Sequence, residues 1–527
     1  MKYFNTAGPC DPAIHYMVPA ADRLSEVREL VATNSYFVVH APRQTGKTTS
    51  LMALCQEFTA SGKYAALHFS CERAEAARGN YAAAEVAVIR AVERKAELDF
   101  PKELRPPPAA EDSSPGSRIS DFLSAWAQTC PRPLVLVFDE IDALRGASLI
   151  TVLRQLRDGF PSRPGAFPAS VVLCGLRDVR DYKMASGGDA PRLGTSSPFN
   201  VKVKSLKLET FTKEQASALY LQHTRETGQE FQPEALERAY EITQGQPWLH
   251  NALAKEVVEE MGVPVTEAIT AGHIQRAKER LILARATHLD SLVARLGEER
   301  VRRFIQPLIA GEMLPVDETY NDDLLYVRDL GLLAPDNPLR IANPIYREVI
   351  LRVLAQPVET QITHDPRRFV LGDGRLDMDL LLREFVDFWV AHSEVLTGSG
   401  SYREVAPQLV LMAWLHRIVN GGGYVEREVG VGRGRIDVLV KWPYTAAPSG
   451  KQHWQHEGME LKVWADRKPD PLAQGLKQLD AYLASLSLDH GYLAIFDRRT
   501  DALPIEERCG LHEDVTPSGK PVVVVRL

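Results

Sequence analysis

One stretch limits the fold of this chain more than any other. The apolar run "YFVVHA" (36–41) leads directly into "APRQTGKTTS" (41–50). A short apolar run bounded by turn residues reads as a buried strand, and "TTSLMALCQEF" beyond it reads as a helix. The connection matches G-x-x-x-x-G-K-[ST], with Ala41, the smallest side chain after glycine, at the first glycine position. Such a loop, set between a strand and a helix, reads as a phosphate cradle, against the alternative of a glycine-rich turn that binds nothing. Gly46 lets the backbone come close, the N–H groups of the loop wrap a polyphosphate, Lys47 neutralises its terminal oxygens, and the Thr48 hydroxyl can bind Mg²⁺. The helix beginning there adds its N-terminal dipole. The expected phosphate cradle is therefore Ala41, Pro42, Arg43, Gln44, Thr45, Gly46, Lys47, Thr48 and Thr49.

A second motif fits the first. "LVLVFDEID" (134–142) is an apolar strand ending in Asp139 and Glu140, at the strand edge where ligands of parallel sheets sit. Asp139 would hold the Mg²⁺ through water, and Glu140 would polarise the attacking water. "YAALHFS" (64–70) and "SVVLCG" (170–175) supply two more buried strands. The strand 64–70 intervenes between the two motifs, which suits a sheet that inserts a strand between the two strands carrying them. Residues 1–205 thus read as a parallel α/β sheet covered on both faces. "RPPPAAEDSSPGS" (105–117) and "MASGGDAPRLGTSSP" (184–198) read as loops.

Residues 206–355 read as helical. Thr212 followed by Gln215 marks a capping-box start. In "LGLLAPDNPLRIANPIY" (330–346), two short apolar segments flank a Pro-Asp-Asn-Pro turn, a hairpin after helices that suggests a winged helix. Its arginines, 328, 340, 347 and 352, are spaced rather than clustered, which favours packing over DNA contact.

Residues 1–355 resemble the AAA+/STAND group of P-loop ATPases. The resemblance rests on "HAPRQTGKTT", "VFDE", the strand ending "CGLRD", and "TQGQPWLHNALA" (243–254) with its G-x-P element at Gly245, Gln246 and Pro247. It implies ATP and Mg²⁺ as cofactors. It also implies a polar sensor on the fourth strand, for which Cys174 and Arg177 are candidates. An arginine finger from Arg177, Arg180 or Arg192 would require a homo-oligomer, and each of these is equally read as a solvated surface charge.

The rest of the chain raises a different chemistry. After a connecting stretch, 356–375, residues 376–527 begin with helices and continue with the strands "GRIDVLVKW", "MELKVW", "GYLAIF" and "PVVVVRL". In "GMELKVW" (458–464), Met459, Leu461 and Val463 share one strand face, and Glu460 and Lys462 share the other. A solvated polar face is the bland reading of any isolated E-x-K. Here Asp437, on the reverse of Ile436, Val438 and Val440 in the preceding strand, supplies a second carboxylate. Gln478 and Tyr482 lie four residues apart, on one face of a following helix. This order resembles the PD-(D/E)XK nucleases, with R-I-D in place of P-D. The resemblance implies that Asp437 and Glu460 hold Mg²⁺, that Lys462 orients the attacking water, and that Gln478 and Tyr482 form the accessory Q-x-x-x-Y element. Glu404 in "SYREVAPQL" is its candidate for the acidic residue of the first helix. The connection "PYTAAPSGKQHWQHE" (443–457) reads as a long polar loop.

Composition narrows the setting. At 527 residues the chain is too long for one core. No apolar run approaches the roughly 20 residues that span a bilayer, and "MKYFNTAGPC" lacks a signal-peptide pattern. Six scattered cysteines without a C-x-x-C pair point to a reducing cytoplasm. The net charge of −7 leaves any DNA contact to local patches. The expectation is an α/β P-loop ATPase with helical lid and winged helix, joined to a restriction-endonuclease-like α/β domain that cleaves DNA. Two alternatives stay open: a signalling ATPase whose C-terminal fold is inactive and binds a partner, and a winged-helix DNA-binding regulator.

Overall fold

The computed structural model describes residues 2–19, 23–176, 201–284, 287–309, 321–359, 366–398, 407–419, 423–431, 434–446 and 451–527. The chain forms two compact units, residues 1–292 with 315–346, and residues 293–314 with 347–527.

In the first unit, short strands β1 (Tyr3–Phe4) and β2 (His15–Tyr16) pair in parallel near the N-terminus. The main sheet follows with β3 (Tyr36–His40), β4 (Ala65–Ser70), β5 (Leu134–Asp139), β6 (Ser170–Gly175) and β7 (Lys202–Lys207). All its pairings are parallel, in the order β4-β5-β6-β3-β7. Alternation builds a core on each face: Tyr36 and Val38 pack on one, Phe37 and Val39 on the other. The two motif-bearing strands, β3 and β5, are separated in space by β6. Strand 64–70, which intervenes between them in the chain, lies at the sheet edge beyond β5. Chain order and sheet order differ because every parallel link is a crossover that can skip a strand.

Helices Lys213–Thr227, Pro233–Thr243, Pro247–Lys255 and Ala271–Leu283 follow β7. The expected capping box is formed: Thr212 Oγ1 accepts from the Gln215 N–H, and the Gln215 side chain accepts from the Thr212 N–H. The hairpin of 330–346 is shorter than its two apolar arms suggested. A single bridge joins Leu333 and Ile341, flanked by backbone bonds Ala334 to Arg340 and Ala342 to Leu332. Arg340 is paired with Asp336, and Arg352 with Glu348.

The second unit holds a mixed sheet of β8 (Tyr424–Val431), β9 (Gly434–Ala446), β10 (Lys451–Trp464), β11 (Gly491–Asp497), β12 (Gly510–Val515) and β13 (Pro521–Arg526), in the order β12-β13-β11-β10-β9-β8. β8, β9 and β10 form an antiparallel meander, and β10, β11 and β13 run parallel. The helices Met378–Gly398 and Pro407–Val419 supply one core, with Met459 and Leu461. The helix Leu472–Ser485 covers the other face, against Leu439, Leu493 and Ile495. One expectation needs correction here. Residues 443–457 are largely paired strand, not a loop: β9 and β10 extend to Ala446 and Lys451. The polar Gln455 is held because its amide bonds both the N–H and the C=O of Leu376. Within the expected connecting stretch 356–375, Phe369 is fully buried in this unit's core.

Candidate functional sites

The phosphate loop lies at the C-terminal edge of β3, and its left-handed residues, Gln44 and Gly46 at φ 58° and 87°, turn it into the helix Lys47–Ala60. Gly46 is favoured by that φ, and a Cβ there would also sit 2.9 Å from Arg23 Nη1, so the guanidinium would have to shift. Lys47 Nζ donates to the loop's own carbonyls, Ala41 at 2.7 Å and Pro42 at 2.8 Å. Burial lowers its pKa, and a phosphate would replace those carbonyls with a charge. Arg43 and Gln44 are exposed at the loop tip, and Thr45 is buried, its hydroxyl donating to the Pro42 carbonyl.

The register of β4 on β5 sets Ser70 opposite Asp139. Thr48 Oγ1 donates to Asp139 Oδ2 at 2.7 Å, and His68 Nε2 meets the same oxygen at 2.9 Å. Burial alone would raise the Asp139 pKa. The His68 ring, with the bonds from Thr48 and the buried Cys174, outweighs it and brings the value down to about 2. Glu140, at φ 54°, accepts a bond from the Ser70 hydroxyl. Burial nonetheless raises its pKa, opposed by Ser70 and reinforced by the charges of Glu72, Asp139 and Asp142. A hydroxyl and an ionised carboxylate in contact at the loop are a donor pair that fits Mg²⁺, which takes one or two protein oxygens and completes its shell with phosphate and water.

Each residue of the G-x-P element has a structural reason. A Cβ on Gly245 would lie 2.1 Å from the Phe211 carbonyl oxygen. The Gln246 side chain accepts from the Leu249 N–H at 2.6 Å, capping the helix Pro247–Lys255, and its Nε2 reaches the Gln44 carbonyl at 3.4 Å. Pro247 occupies the first helical position, where its missing N–H costs nothing. The lid is thus tied to the phosphate loop. Of the other candidates, Cys174 is buried beside Asp139, while Arg177, Arg180, Arg192 and Glu404 lie outside the described residues.

His68, Ser70 and Arg23 were not singled out in the sequence. The first two interrupt the apolar run of β4 at alternate positions, so they share a face, a signal that was available. Arg23 donates to the carbonyls of Thr45 (2.6 Å) and Glu209 (2.5 Å) and lies 4.8 Å over the Phe211 ring. Burial lowers its pKa to about 10.

In the second unit, β10 pairs with β9 so that Met459 faces Val438. One step further, Glu460 falls opposite Asp437. Asp437 Oδ2 accepts the Leu461 N–H at 2.8 Å, and Lys462 Nζ donates to Glu460 Oε1 at 2.5 Å. Two carboxylates and an amine therefore converge on the face that carries the helix Leu472–Ser485. Glu460 is 3% exposed, so this polar face is not simply wetted. Burial raises the Glu460 pKa to about 7, reinforced by the Asp437 charge and opposed by Lys462. Its Oε2 is buried without a hydrogen-bond partner. Gln478 and Tyr482 lie on the covering helix. Gln478 Oε1 is likewise buried and unpartnered, and Tyr482 packs against the apolar core beneath. No group of three or more His, Cys, Asp or Glu among the described residues is placed to hold a metal ion. Asp437 and Glu460 could hold one only with ligands from substrate and water, which suits Mg²⁺.

Parallel strand order, loop, and acidic strand end together define the first unit as a P-loop nucleoside-triphosphatase fold. No protein-family model matches the chain, and no curated protein matches it. Among solved structures, a Walker-type ATPase of Pyrococcus abyssi is similar at 13% identity and TM-score 0.47, over 66% of this chain and 99% of that one. Cdc6p of Pyrobaculum aerophilum is similar at 13% identity and TM-score 0.37, over 66% and 97%. The RuvB Holliday junction branch migration motor of Thermotoga maritima is similar at 16% identity and TM-score 0.33, over 63% and 93%. The fold class stands on this chain's own strand order and loop. Among the described residues, no helix is long and apolar enough to cross a membrane.

Proposed function

We propose that this chain hydrolyses ATP in its first unit and phosphodiester bonds of nucleic acid, DNA first among them, in its second. The observation that carries the second half is the meeting of Asp437 and Glu460 from neighbouring antiparallel strands, with Lys462 bonded to Glu460. The sheet supports it, because a helix, three antiparallel strands, a crossover helix and a parallel strand follow in the order of the PD-(D/E)XK nucleases. The unpartnered Glu460 Oε2 adds a buried acceptor with no structural employment.

In the first unit, Lys47 would exchange its loop carbonyls for the β/γ oxygens of the nucleotide. Glu140, freed from Ser70, would accept a proton from the attacking water. Thr48 and Asp139 would hold Mg²⁺. In the second unit, Asp437 and Glu460 would hold Mg²⁺, and Lys462 would orient the attacking water by hydrogen bonding. Mg²⁺ when bound supplies positive charge that stabilises the developing phosphate charge. The pairing of the two activities points to handling of foreign or mobile DNA, and ATP-dependent signalling without cleavage is the rival reading.

Phosphate release and plasmid scission, measured in parallel, test the assignment. Lys47→Ala should stop phosphate release, and Lys462→Ala should stop scission while leaving phosphate release intact. Phosphate release without cutting of any DNA or RNA by the wild type would leave the signalling reading in its place.

A further inference from the structure

The sheet face that carries Asp437, Glu460 and Lys462 continues along the β9–β10 ribbon beyond them. Residues directly opposite in an antiparallel pair share a face, and every second residue along a strand returns to it. With Met459 opposite Val438, the acids are followed outward on their own face by three pairs: Leu439 and Gly458, Lys441 and His456, Pro443 and Trp454. The helix Leu472–Ser485 packs against Leu439. Further out the face is open: Lys441 is half-buried, His456 is exposed, and Trp454 is 43% exposed. The reverse face of the same arm is covered. There Trp442 is buried, its Nε1 donating to the Gly374 carbonyl at 3.0 Å, and the Gln455 amide bonds the Leu376 backbone.

A single exposed aromatic side chain is ordinary on a protein surface. Trp454 differs by its position. It lies six residues from Glu460, about 20 Å along β10, with Lys441 between them on the same face. A centre that cuts a polymer needs a track for the rest of it, with positive charge for the phosphates and flat apolar surface for the bases. The net charge of −7 gives no general attraction, so that track has to be local. This face supplies a cation and an indole in line with the acids. Inside a duplex each base is covered by its neighbours, so an outward indole stacks only on a base that is unpaired or terminal. The arm therefore suits a single strand.

We propose that the outer arm of the β9–β10 ribbon binds single-stranded nucleic acid, Trp454 stacking on an unpaired base and Lys441 meeting a phosphate, and so leads the strand to Asp437 and Glu460. The inference rests on the hydrolytic reading of those acids and names the form of substrate which that reading leaves open.

The test is fluorescence anisotropy of a labelled mixed-sequence oligodeoxynucleotide of about 20 nucleotides, single-stranded or as a blunt duplex, titrated with the full chain in EDTA. The wild type should bind the single strand at least about fivefold more tightly than the duplex. Trp454→Ala and Trp454→Leu, the latter apolar but without a π face, should each weaken single-strand binding at least about fivefold, and Trp454→Phe should keep most of it. Lys441→Ala should lower the slope of log affinity against log salt by about 0.7. Undiminished single-strand binding in Trp454→Ala, full binding by Trp454→Leu, or a wild type that prefers the duplex overturns the stacking site. An unchanged slope in Lys441→Ala overturns the phosphate contact. Scission of the same strand in Mg²⁺ separates the two readings. A wild type that cuts, with Trp454→Ala binding and cutting equally well, removes only the arm. Binding that depends on Trp454 without any cutting removes the hydrolytic reading and leaves the arm as a binding surface. Absence of nucleic-acid binding in any form, with no cutting, removes both.

Discussion

Thr48 Oγ1 lies 2.7 Å from Asp139 Oδ2, so the first turn of the loop helix and the end of β5 are joined by one hydrogen bond. These are the two protein oxygens expected to hold Mg²⁺ with the nucleotide. Thr48→Ala removes one of them. Turnover should fall at least about tenfold with Mg²⁺, while metal-free nucleotide binding, which depends on Lys47 and the loop backbone, should change little. Unchanged turnover would show that the hydroxyl has no part in the site.

Ser70 and Glu140 give a pH-dependent expectation. The Ser70 hydroxyl donates to the carboxylate and favours its charged form. Ser70→Ala removes that support, so the Glu140 pKa rises further. A proton acceptor must be ionised, and the acidic limb of the kcat/KM profile, which reports the free enzyme, should therefore move to higher pH. A limb that stays in place, or moves down, contradicts the assignment of Glu140 as base.

Stability should carry the signature of His250. It is fully buried, its Nε2 2.7 Å from Thr243 Oγ1, and burial lowers its pKa to about 3. Between that value and the ordinary 6.5, the unfolded chain takes up a proton that the folded one refuses. Stability is then full above about 6.5 and falls as pH drops, by about 2 kcal/mol at pH 5 for this group. Urea denaturation at pH 7.5 and 5.0 should show the wild type losing about that much more than His250→Gln. Equal losses would mean that the histidine is not desolvated in the folded unit.

Gly245 tests the tie between lid and loop. Its φ of 76° and its contact with the Phe211 carbonyl leave no room for a side chain. Gly245→Ala should cost roughly 2–4 kcal/mol, seen as a lowered Tm, and should weaken nucleotide binding through the displaced Gln246. A variant as stable as the wild type would contradict the geometry of the turn.

The phosphate loop was legible because its function is carried by consecutive residues, and Glu140 because it follows Asp139 at a strand end. The sheet order was not, since parallel crossovers leave no trace of which strand they skip. β8 and β12 escaped notice: their sequences, "YVEREVGV" and "GLHEDV", are too charged to read as apolar strands, and both lie at sheet edges. The long arms of β9 and β10 were hidden by polar residues with partners outside the strand pair, such as Gln455, whose amide bonds the Leu376 backbone. Asp437, Glu460 and Lys462 could be read because strand alternation puts them on one face, but only the register shows that the acids meet. Arg23 and His68 act through partners distant in the chain, and spacing alone does not reveal such pairs.

Asp437 and Glu460 are proposed to form one cation-dependent hydrolytic centre with Lys462. Strand scission of plasmid DNA as a function of Mg²⁺ concentration, comparing wild type with Asp437→Asn, measures it most directly. The account expects Mg²⁺-dependent cutting by the wild type and a loss of at least about a hundredfold in the variant, with ATP turnover unchanged. Equal cutting by both proteins, or cutting by the wild type that persists in chelator, would contradict it.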